Sequence, residues 1–266
     1  HSSTIQGSLS RERAVGSYFI FFDSDCVIPE GYFEALNAVL NRHYTDCFGG
    51  PDAAHDSFSD VQKAINYSMT SFLTTGGIRG GRVQLEKFTP RTFNMGFSRE
   101  VYDRVGGFRE MFSEDIDMST RIRQAGFGIS LIRNAFVYHK RRISMRLFFR
   151  QIYIFGMSRI SLYLLYPDTL KLVHWFPACF VIGTLAMIVA SFFWWPAILP
   201  LAIYLFAVFL VSWCVNKRLK IAALSVVASI IQLGGYGMGF LKAFFYKVLL
   251  GRGRDEAEEV RLRKGK

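Results

Sequence analysis

The sequence has few cysteines, and none of them forms the close pairs that structural zinc sites or redox motifs use. Its four cysteines (Cys26, Cys47, Cys179 and Cys214) are scattered over 266 residues, with no Cys-x-x-Cys. Disulfide frameworks and zinc sites are recognised by regular, close cysteine spacing. The sequence therefore predicts neither, and a reducing compartment is the default expectation.

Charge is missing from much of the carboxyl-terminal half. The segment from Trp175 to Val215 contains no Asp, Glu, Lys, Arg or His. Because about twenty apolar residues suffice to cross a bilayer as a helix, two spans are predicted, Leu172 to Trp194 and Ala197 to Val215. Trp194-Trp-Pro196 would form the tip between them, where aromatic side chains suit the membrane interface.

A third apolar segment, Ile221 to Leu241, lacks the regularity of the first two. It contains Gly234, Gly235, Gly237 and Gly239, and glycine weakens a helix. If this segment crossed the membrane, the basic carboxyl-terminal tail would end outside, against the positive-inside trend. We therefore expect a re-entrant or interfacial segment.

Acidic residues are absent between Met118 and Pro167, although the chain carries many basic residues there and a net charge of +11. The basic residues alternate with apolar and aromatic ones, a pattern typical of an amphipathic helix lying on anionic lipid headgroups. A solvated basic face and a nucleic-acid site are the alternatives. The basic residues are Arg121, Arg123, Arg133, Lys140, Arg141, Arg142, Arg146, Arg150 and Arg159.

The amino-terminal part shows alternating strand and helix patterns. The apolar run Tyr18 to Phe22 predicts a central strand of a parallel sheet. Further strands are predicted at Cys47–Gly50, Ile129–Ile132 and Ala135–Tyr138. Helices are predicted at Pro29–Arg42, Ser57–Leu73, Ser98–Val105 and Ser113–Gln124. The expected fold class is α/β with a mostly parallel sheet, in which ligands bind at the carboxyl ends of strands.

Two aspartates, Asp23 and Asp25, directly follow the first predicted strand. Asp often ends a strand and starts a turn. Alternatively, the two carboxylates bind one divalent cation, since hard oxygen ligands suit Mg²⁺ or Mn²⁺. An isolated Asp-x-Asp leaves both interpretations open.

A second acidic cluster, Glu114, Asp115 and Asp117, follows Ser113 at a predicted helix start. Ser113 as a cap and the acids at the positive end of the helix dipole give a purely structural explanation. Alternatively, one carboxylate points into a cleft as a general base.

Together, these segments resemble the inverting family-2 glycosyltransferases of GT-A (Rossmann-like) fold. The resemblance rests on Asp23-Ser-Asp25, Phe93 to Phe108, Ser113-Glu-Asp-Ile-Asp117 with Arg121 to Gly126, and Ala135 to His139, in this order. It covers roughly Gly16 to Gly156. The ordered set is far more specific than any single motif.

The resemblance implies roles for individual residues. Asp23 and Asp25 would bind the metal and the nucleotide-sugar diphosphate, Asp115 would be the base beside Glu114, and Asn94 would lie near the donor sugar. His139 falls where similar enzymes place a histidine facing the metal or diphosphate. A hydrogen-bonded histidine at a strand end is the equally weighted alternative.

Two departures from the family pattern limit these inferences. The base-binding strand with which such domains begin is not found before Ser17, and the chain lacks an initiator Met and a signal peptide. We therefore expect a chain truncated at its amino terminus and inactive by itself. Gln151 is followed by Ile-Tyr-Ile-Phe instead of completing the Gln-x-x-Arg-Trp motif of polymerising members, so a single-transfer enzyme is favoured.

The predicted protein is a multi-pass glycosyltransferase of the plasma or inner cell membrane, with its catalytic domain in the cytoplasm. It would transfer a sugar from a nucleotide sugar to a lipid-linked or polysaccharide acceptor, using Mg²⁺ or Mn²⁺ and contacting anionic lipids but no nucleic acid. The predicted regions are a catalytic domain (1–142), an interfacial helix (143–171), membrane helices (172–249) and a basic cytoplasmic tail (250–266).

Two other classes of protein share some of these sequence features. A phosphatase of the haloacid-dehalogenase type also has an apolar strand before Asp-x-Asp, but no strand pattern leads into Glu114-Asp115. A non-enzymatic membrane subunit, such as part of a transporter, would be expected to carry acids within its spans. The apolar spans contain none.

Overall fold

The structure is a computed structural model that describes residues 16–53, 55, 57–76, 88–109, 113–140 and 142–252. The chain divides into two compact units. The first runs to Ser57 and from Gly77 to Lys140, and the second comprises Phe58–Gly76 and the chain from Arg141 onward. The sequence-based division at residue 142 had assigned residues 58–76 to the first domain, whereas their contacts place them in the second unit. Residues 253–266 of the predicted tail lie outside the described residues.

The first unit is an α/β unit with two small sheets. Its strands within the described residues are β1 (Tyr18–Phe21), β2 (Cys26–Val27), β3 (Cys47–Gly49), β4 (Asp52–Ala53), β5 (Met95–Ser98), β6 (Ile129–Leu131) and β7 (Val137–His139). The larger sheet has the order β1-β5-β3-β6 and the smaller one the order β2-β7-β4. The predicted α/β class is confirmed.

The larger sheet is mixed, because β5 runs antiparallel to both β1 and β3 while β6 is parallel to β3. Strand β5 was not predicted, since it contains Gly96, a residue with low strand propensity. A Cβ at Gly96 would collide with the ring of Phe48 on β3, so tight packing explains this glycine. Strand β1, expected in the centre, lies at one edge of the described sheet.

The smaller sheet is made of very short strands, and it positions three polar side chains. In this sheet β7 is antiparallel to β2 and parallel to β4, with Cys26 opposite His139 and Asp52 opposite Val137. Strands of two residues are too short to show the alternation that predicts a strand. Their presence, and the proximity of Cys26, Asp52 and His139, could not be foreseen.

The described residues of the α/β unit contain three α-helices, namely α1 (Tyr32–Leu40), α4 (Arg99–Val105) and α5 (Glu114–Gln124). Each lies inside the predicted range. Ser98 caps α4 through its side chain, which accepts a hydrogen bond from the Val101 amide at 3.2 Å. Ser113 was expected to do the same for α5, but its backbone is left-handed (φ 65°) and its side chain makes no cap bond.

The second unit is a helical unit. Its α-helices within the described residues are α2 (Asp60–Thr70), α3 (Phe72–Thr75), α6 (Met145–Leu165), α7 (Phe176–Ser191), α8 (Leu199–Asn216) and α9 (Leu219–Ala243). Three helical stretches are long and apolar enough to cross a membrane, Leu172–Ser191, Trp195–Asn216 and Leu219–Leu249. The last is continuous through α9 and a π-helical turn, Phe244–Leu249. Re-entrant segments usually contain a break in the helix, and this helix is continuous; the position of the segment relative to the membrane stays a prediction.

Helix α2 is polar in composition, yet most of it is buried among the apolar helices. Ile65 and Met69 pack with Phe148 and Ile152 of α6 and Ala228 of α9. Four polar contacts tie α2 and α3 to α8 and to the start of α9. The Tyr67 hydroxyl donates to the Val208 carbonyl (3.3 Å), the Tyr204 hydroxyl donates to the Leu73 carbonyl (3.1 Å), and Asp60 pairs with Arg218 (2.9 Å) and Lys220 (3.0 Å).

Helix α6, expected as a surface helix, has one packed face and one exposed face. A Cβ at Gly156 would collide with the carbonyl oxygen of Tyr236 on α9, and one at Gly239 with that of Tyr153. These glycines allow the two backbones to approach closely. On the other face Arg146 and Arg150 are exposed.

Helix α9 contacts α7 near its first turn and α8 near its last turn, which are the ends that the connection between α7 and α8 leaves open. Ser225 accepts a hydrogen bond from Ser212 (2.7 Å), four residues before the end of α8. Twelve residues later, Gly237 lies against the carbonyl of Pro177, in the first turn of α7. Since α7 and α8 are joined by the short connection at Phe192–Ile198, these two contact points lie at the end of the pair opposite that connection.

Candidate active site

The first part of the site is the turn that joins β1 to β2. Asp23 and Asp25 lie in this turn, and both side chains are 45% exposed. The Cys26 amide donates to the Asp23 carbonyl (3.0 Å), and the Lys140 amide donates to the Asp25 carbonyl (3.2 Å). These backbone bonds fix the turn against the end of β7, while both carboxylates remain accessible to a ligand.

His139, the last residue of β7, faces these carboxylates. Its Nε2 lies 3.3 Å from Asp25 Oδ1 and 4.0 Å from Asp23 Oδ2. Its Nδ1 is 3.8 Å from Asp52 Oδ2, on a side chain with no exposed surface. The imidazole also packs on the ring of Phe93, with the ring centroids 4.6 Å apart. The structure thus brings together three residues that the sequence had singled out, and adds Asp52.

Cys26 is a further residue of this cluster. Its sulfur, a carboxylate oxygen of Asp25 and a ring nitrogen of His139 all lie within 4.8 Å of one another. The thiol donates a weak hydrogen bond to the Phe93 carbonyl (3.6 Å). Burial, followed by the charges of Asp23 and Asp25, raises the pKa of Cys26 to about 12. All four cysteines are free. The argument against a zinc site considered only the spacing between cysteines, and the neighbours of Cys26 in this cluster are distant in sequence.

The second part of the site is the first turn of α5. Asp115 Oδ2 pairs with Arg91 Nη1 at 3.1 Å, and Asp115 Oδ1 accepts a hydrogen bond from the Ile116 amide at 2.8 Å. Burial, together with the charges of Asp115 and Asp23, raises the pKa of Glu114. The charge of Asp23 contributes to this shift, which indicates that the two acidic clusters lie within electrostatic range of each other in the α/β unit.

The third acid of this cluster, Asp117, has a different environment. Its side chain is fully buried and pairs with Arg121 (2.8 Å) and Arg109 (3.2 Å). The Arg121 guanidinium also donates to the Val105 and Gly107 carbonyls, at 2.8 Å each. Asp117 therefore holds α5 against the end of α4, which explains why a third acid and the following arginine occur here.

Asn94 lies in the interior, with no exposed surface. Its side-chain oxygen accepts a hydrogen bond from the Tyr32 hydroxyl (2.6 Å), and its side-chain nitrogen donates to the Ala135 carbonyl (2.7 Å). These bonds join α1, β5 and the loop before β7. Contact between Asn94 and a donor sugar stays a prediction.

An α/β unit with acidic clusters at its strand and helix ends, joined in one chain to long apolar helices, has the features of a membrane-associated glycosyltransferase. Two family models match the chain. The model for glycosyltransferase-like family 2 matches residues 8–153, and that for glycosyl transferase family 21 matches residues 89–253. The chain belongs to glycosyltransferase family 2.

A curated relative supports the same class. The chain is 24% identical to the succinoglycan biosynthesis protein ExoA of Rhizobium meliloti (strain 1021) over 248 residues, which cover 90% of this chain and 73% of the relative. The family match and this relative support a glycosyltransferase over the phosphatase and the non-enzymatic membrane subunit.

Proposed function

We propose that this chain is part of a membrane-bound, inverting glycosyltransferase that transfers one sugar from a nucleotide-diphosphate sugar to a lipid-linked or cell-envelope polysaccharide acceptor. The observation that carries this proposal is the convergence of Asp23 and Asp25 of the β1–β2 turn with His139 at the end of β7, with Glu114 close enough for the charge of Asp23 to act on it. A donor diphosphate and an acceptor hydroxyl need these two kinds of group at opposite sides of the reacting carbon.

The residues at the β1–β2 turn fit a divalent cation. Two accessible carboxylates and an imidazole nitrogen form a suitable donor set for Mn²⁺ or Mg²⁺. The Nδ1 of His139 is buried and makes no hydrogen bond within the described residues. Its nearest carboxylate is that of Asp52, the arrangement by which an outer carboxylate orients a metal-bound imidazole. When bound, the cation would neutralise charge on the departing diphosphate.

Asp115 is proposed as the base that accepts the proton of the acceptor hydroxyl. Arg91 and the Ile116 amide each occupy one of its oxygens, and a carboxylate oxygen offers two lone pairs. Each oxygen therefore retains capacity to accept a proton while the carboxylate is held in one orientation. Glu114 would contact the acceptor or orient Asp115. A single displacement by the activated hydroxyl inverts the anomeric carbon.

The helical unit is proposed to hold the enzyme at the cytoplasmic surface of the cell membrane. Exposed Arg146 and Arg150 on α6 lie beside exposed Leu147, Phe149 and Phe155, a combination suited to anionic headgroups. The name of the relative, a succinoglycan biosynthesis protein, supports a polysaccharide or its lipid-linked precursor as acceptor.

The metal role is tested with Asp25→Asn. This variant should lose Mn²⁺-dependent binding of nucleotide sugar, because one of the two accessible carboxylates becomes neutral. Binding is measured by titration calorimetry of the detergent-solubilised protein, with and without chelator. Asp168→Asn, at an exposed position between α6 and α7, is the isosteric control and should bind as the unchanged protein does. Equal chelator-sensitive binding by both variants would reject the metal role of Asp25.

A further inference from the structure

We propose that Cys26 is a protein ligand beside Asp25 and His139, and that it gives this site a preference for borderline and soft cations such as Zn²⁺ and Cd²⁺ over Mg²⁺. The inference deepens the metal site of the proposed function and rests on it for location. Cation binding can nevertheless be measured without any sugar transfer.

The backbone brings the three ligands together. Cys26 and His139 are directly opposite in the β2–β7 pair, and side chains of such residues share one face of the sheet. Asp25 precedes Cys26, and its carbonyl is bonded to the amide of Lys140, which follows His139. Both chain segments are therefore fixed where the ligands emerge.

The distances match those of a metal site. Two ligands at about 2.0 Å from a tetrahedral ion lie about 3.3 Å apart, and His139 Nε2 and Asp25 Oδ1 are 3.3 Å apart. The sulfur lies within 4.8 Å of both of these groups. Small side-chain rotations would bring all three onto one ion.

The donor set decides which cation is favoured. Carboxylates alone suit Mg²⁺ and Mn²⁺, whereas a thiolate with an imidazole selects Zn²⁺ and softer ions. In the protein without metal, the Cys26 thiol donates to the Phe93 carbonyl. On binding, the S–H bond breaks, the proton leaves to solvent, and a sulfur–metal bond replaces a metal–water bond, since a coordinating thiol loses its proton.

A regulatory consequence follows from the number of ligands. Asp25, Cys26 and His139 supply three donors, which fill all but one position of a tetrahedral Zn²⁺ ion. The one position left is too few for the two oxygens with which a diphosphate would chelate the ion. Zn²⁺ and Cd²⁺ are therefore expected to compete with Mn²⁺ and to block donor binding at this site.

Cobalt(II) tests the sulfur ligand directly, because a thiolate bound to Co²⁺ gives a charge-transfer absorption that oxygen and nitrogen ligands do not give. The experiment uses the full chain with Cys179→Ser and Cys214→Ser, which removes the two exposed thiols. Cys26→Ser should abolish the absorption in this background. Cys47→Ser, at a thiol buried in the sheet, is the matched control and should keep it. Thermal unfolding confirms that each variant is folded, and Cys26→Ala replaces Cys26→Ser if the serine variant is not.

Competition titrations between Zn²⁺ and Mn²⁺ measure the cation preference of the site. Cys26→Ser should weaken Zn²⁺ binding by more than about tenfold, the loss that removal of even an outer partner causes, and change Mn²⁺ binding much less. An absent absorption in the background protein, or one that survives in Cys26→Ser, overturns the proposal. A Cys26-dependent absorption without Mn²⁺-dependent donor binding would uphold the ligand and reject the transferase proposal instead.

Discussion

Polar side chains of the α/β unit and of the helical unit differ in their exposure and in their hydrogen-bond partners. In the α/β unit, Asp23 and Asp25 stand half-exposed at the end of a strand. In the helical unit, Ser212 donates to Ser225, Ser225 donates to the Ile221 carbonyl, and Asn216 donates to Ser212. These three side chains of the helices thus satisfy one another internally, whereas the two carboxylates of the β1–β2 turn stay accessible to a ligand.

The same contrast occurs within one helix of the α/β unit. Asp115 and Asp117 are two residues apart on α5, but Asp117 is fully buried between two arginines while Asp115 has one arginine at the site. Sequence proximity therefore does not imply a shared role. Substitution of each acid by its amide should separate chemistry from stability.

The largest expected effect is on catalysis. Asp115→Asn should lower turnover by about 10²- to 10⁴-fold, the usual contribution of a general base, with nearly unchanged donor binding, since a base acts mainly in the transition state. Release of nucleoside diphosphate by the protein in isolated membranes measures turnover. If Asp115→Asn keeps most activity and Glu114→Gln loses it, Glu114 is the base.

The next effect is on folding. Asp117→Asn should lower the free energy of unfolding by about 3–5 kcal/mol, because buried Arg121 and partly exposed Arg109 lose the fully buried carboxylate with which they pair. Hydrogen exchange of the α5 amides reports this loss locally. Asp115→Asn serves as the matched control and should leave exchange nearly unchanged. Equal protection of the α5 amides in both variants would contradict the structural role of Asp117 that distinguishes it from Asp115.

A smaller effect tests whether residues 58–76 belong to the helical unit. Tyr67→Phe removes the bond to the Val208 carbonyl and should destabilise that unit by about 1 kcal/mol. Tryptophan fluorescence follows its unfolding, since all four tryptophans lie from Trp175 onward. The control is Tyr246→Phe, at an exposed position of the same unit. A Tyr67→Phe protein that unfolds like the control would argue that this segment does not stabilise the helices.

The smallest effect depends on pH and concerns Glu114. Burial and neighbouring acids raise its pKa above the ordinary 4.5, so the folded state binds this proton more tightly than the unfolded state does. The carboxyl therefore costs stability as pH rises through 4.5 toward the raised value, and the cost persists above it. Glu114→Gln should be more stable than the unchanged protein at neutral pH, with no difference below 4.5.

Thermal unfolding across this pH range measures the difference. Glu34→Gln, at an exposed position on α1, should show no such pH-dependent gain. A constant difference at all pH values would indicate a packing effect of the amide instead of the proposed penalty on the charge.

Local patterns predicted the elements but not their partners. A local pattern is visible in elements with enough residues, such as strands β3 and β6 and helices α1, α4 and α5. The acids Asp23 and Asp25 follow strand β1, and Glu114 is the first residue of α5. Cys26 and Asp52 were missed because two-residue strands show no period, and only the pairing with β7 brings them to His139. Long-range pairing of this kind leaves no trace in local sequence.

Helix α2 illustrates the same limit in the helical unit. Its helical character was predicted, and Ser59 with Gln62 forms a capping box at its start. Its burial was not predicted. The buried Tyr67 hydroxyl donates to the Val208 carbonyl, a group distant in sequence, and composition alone does not reveal such a partner.

The position of α9 at the open ends of α7 and α8 has a consequence for the lipid itself. At 25 residues, α9 is about 37 Å long, and it is also part of a stretch apolar enough to cross a membrane. If it instead lies in the plane of the bilayer, as the sequence predicts, it occupies area in one leaflet only. Area added to one leaflet favours loosely packed or curved membrane, to which in-plane helices are sensitive. The lateral packing of the lipids would then influence how the helical unit binds the membrane, independently of lipid charge.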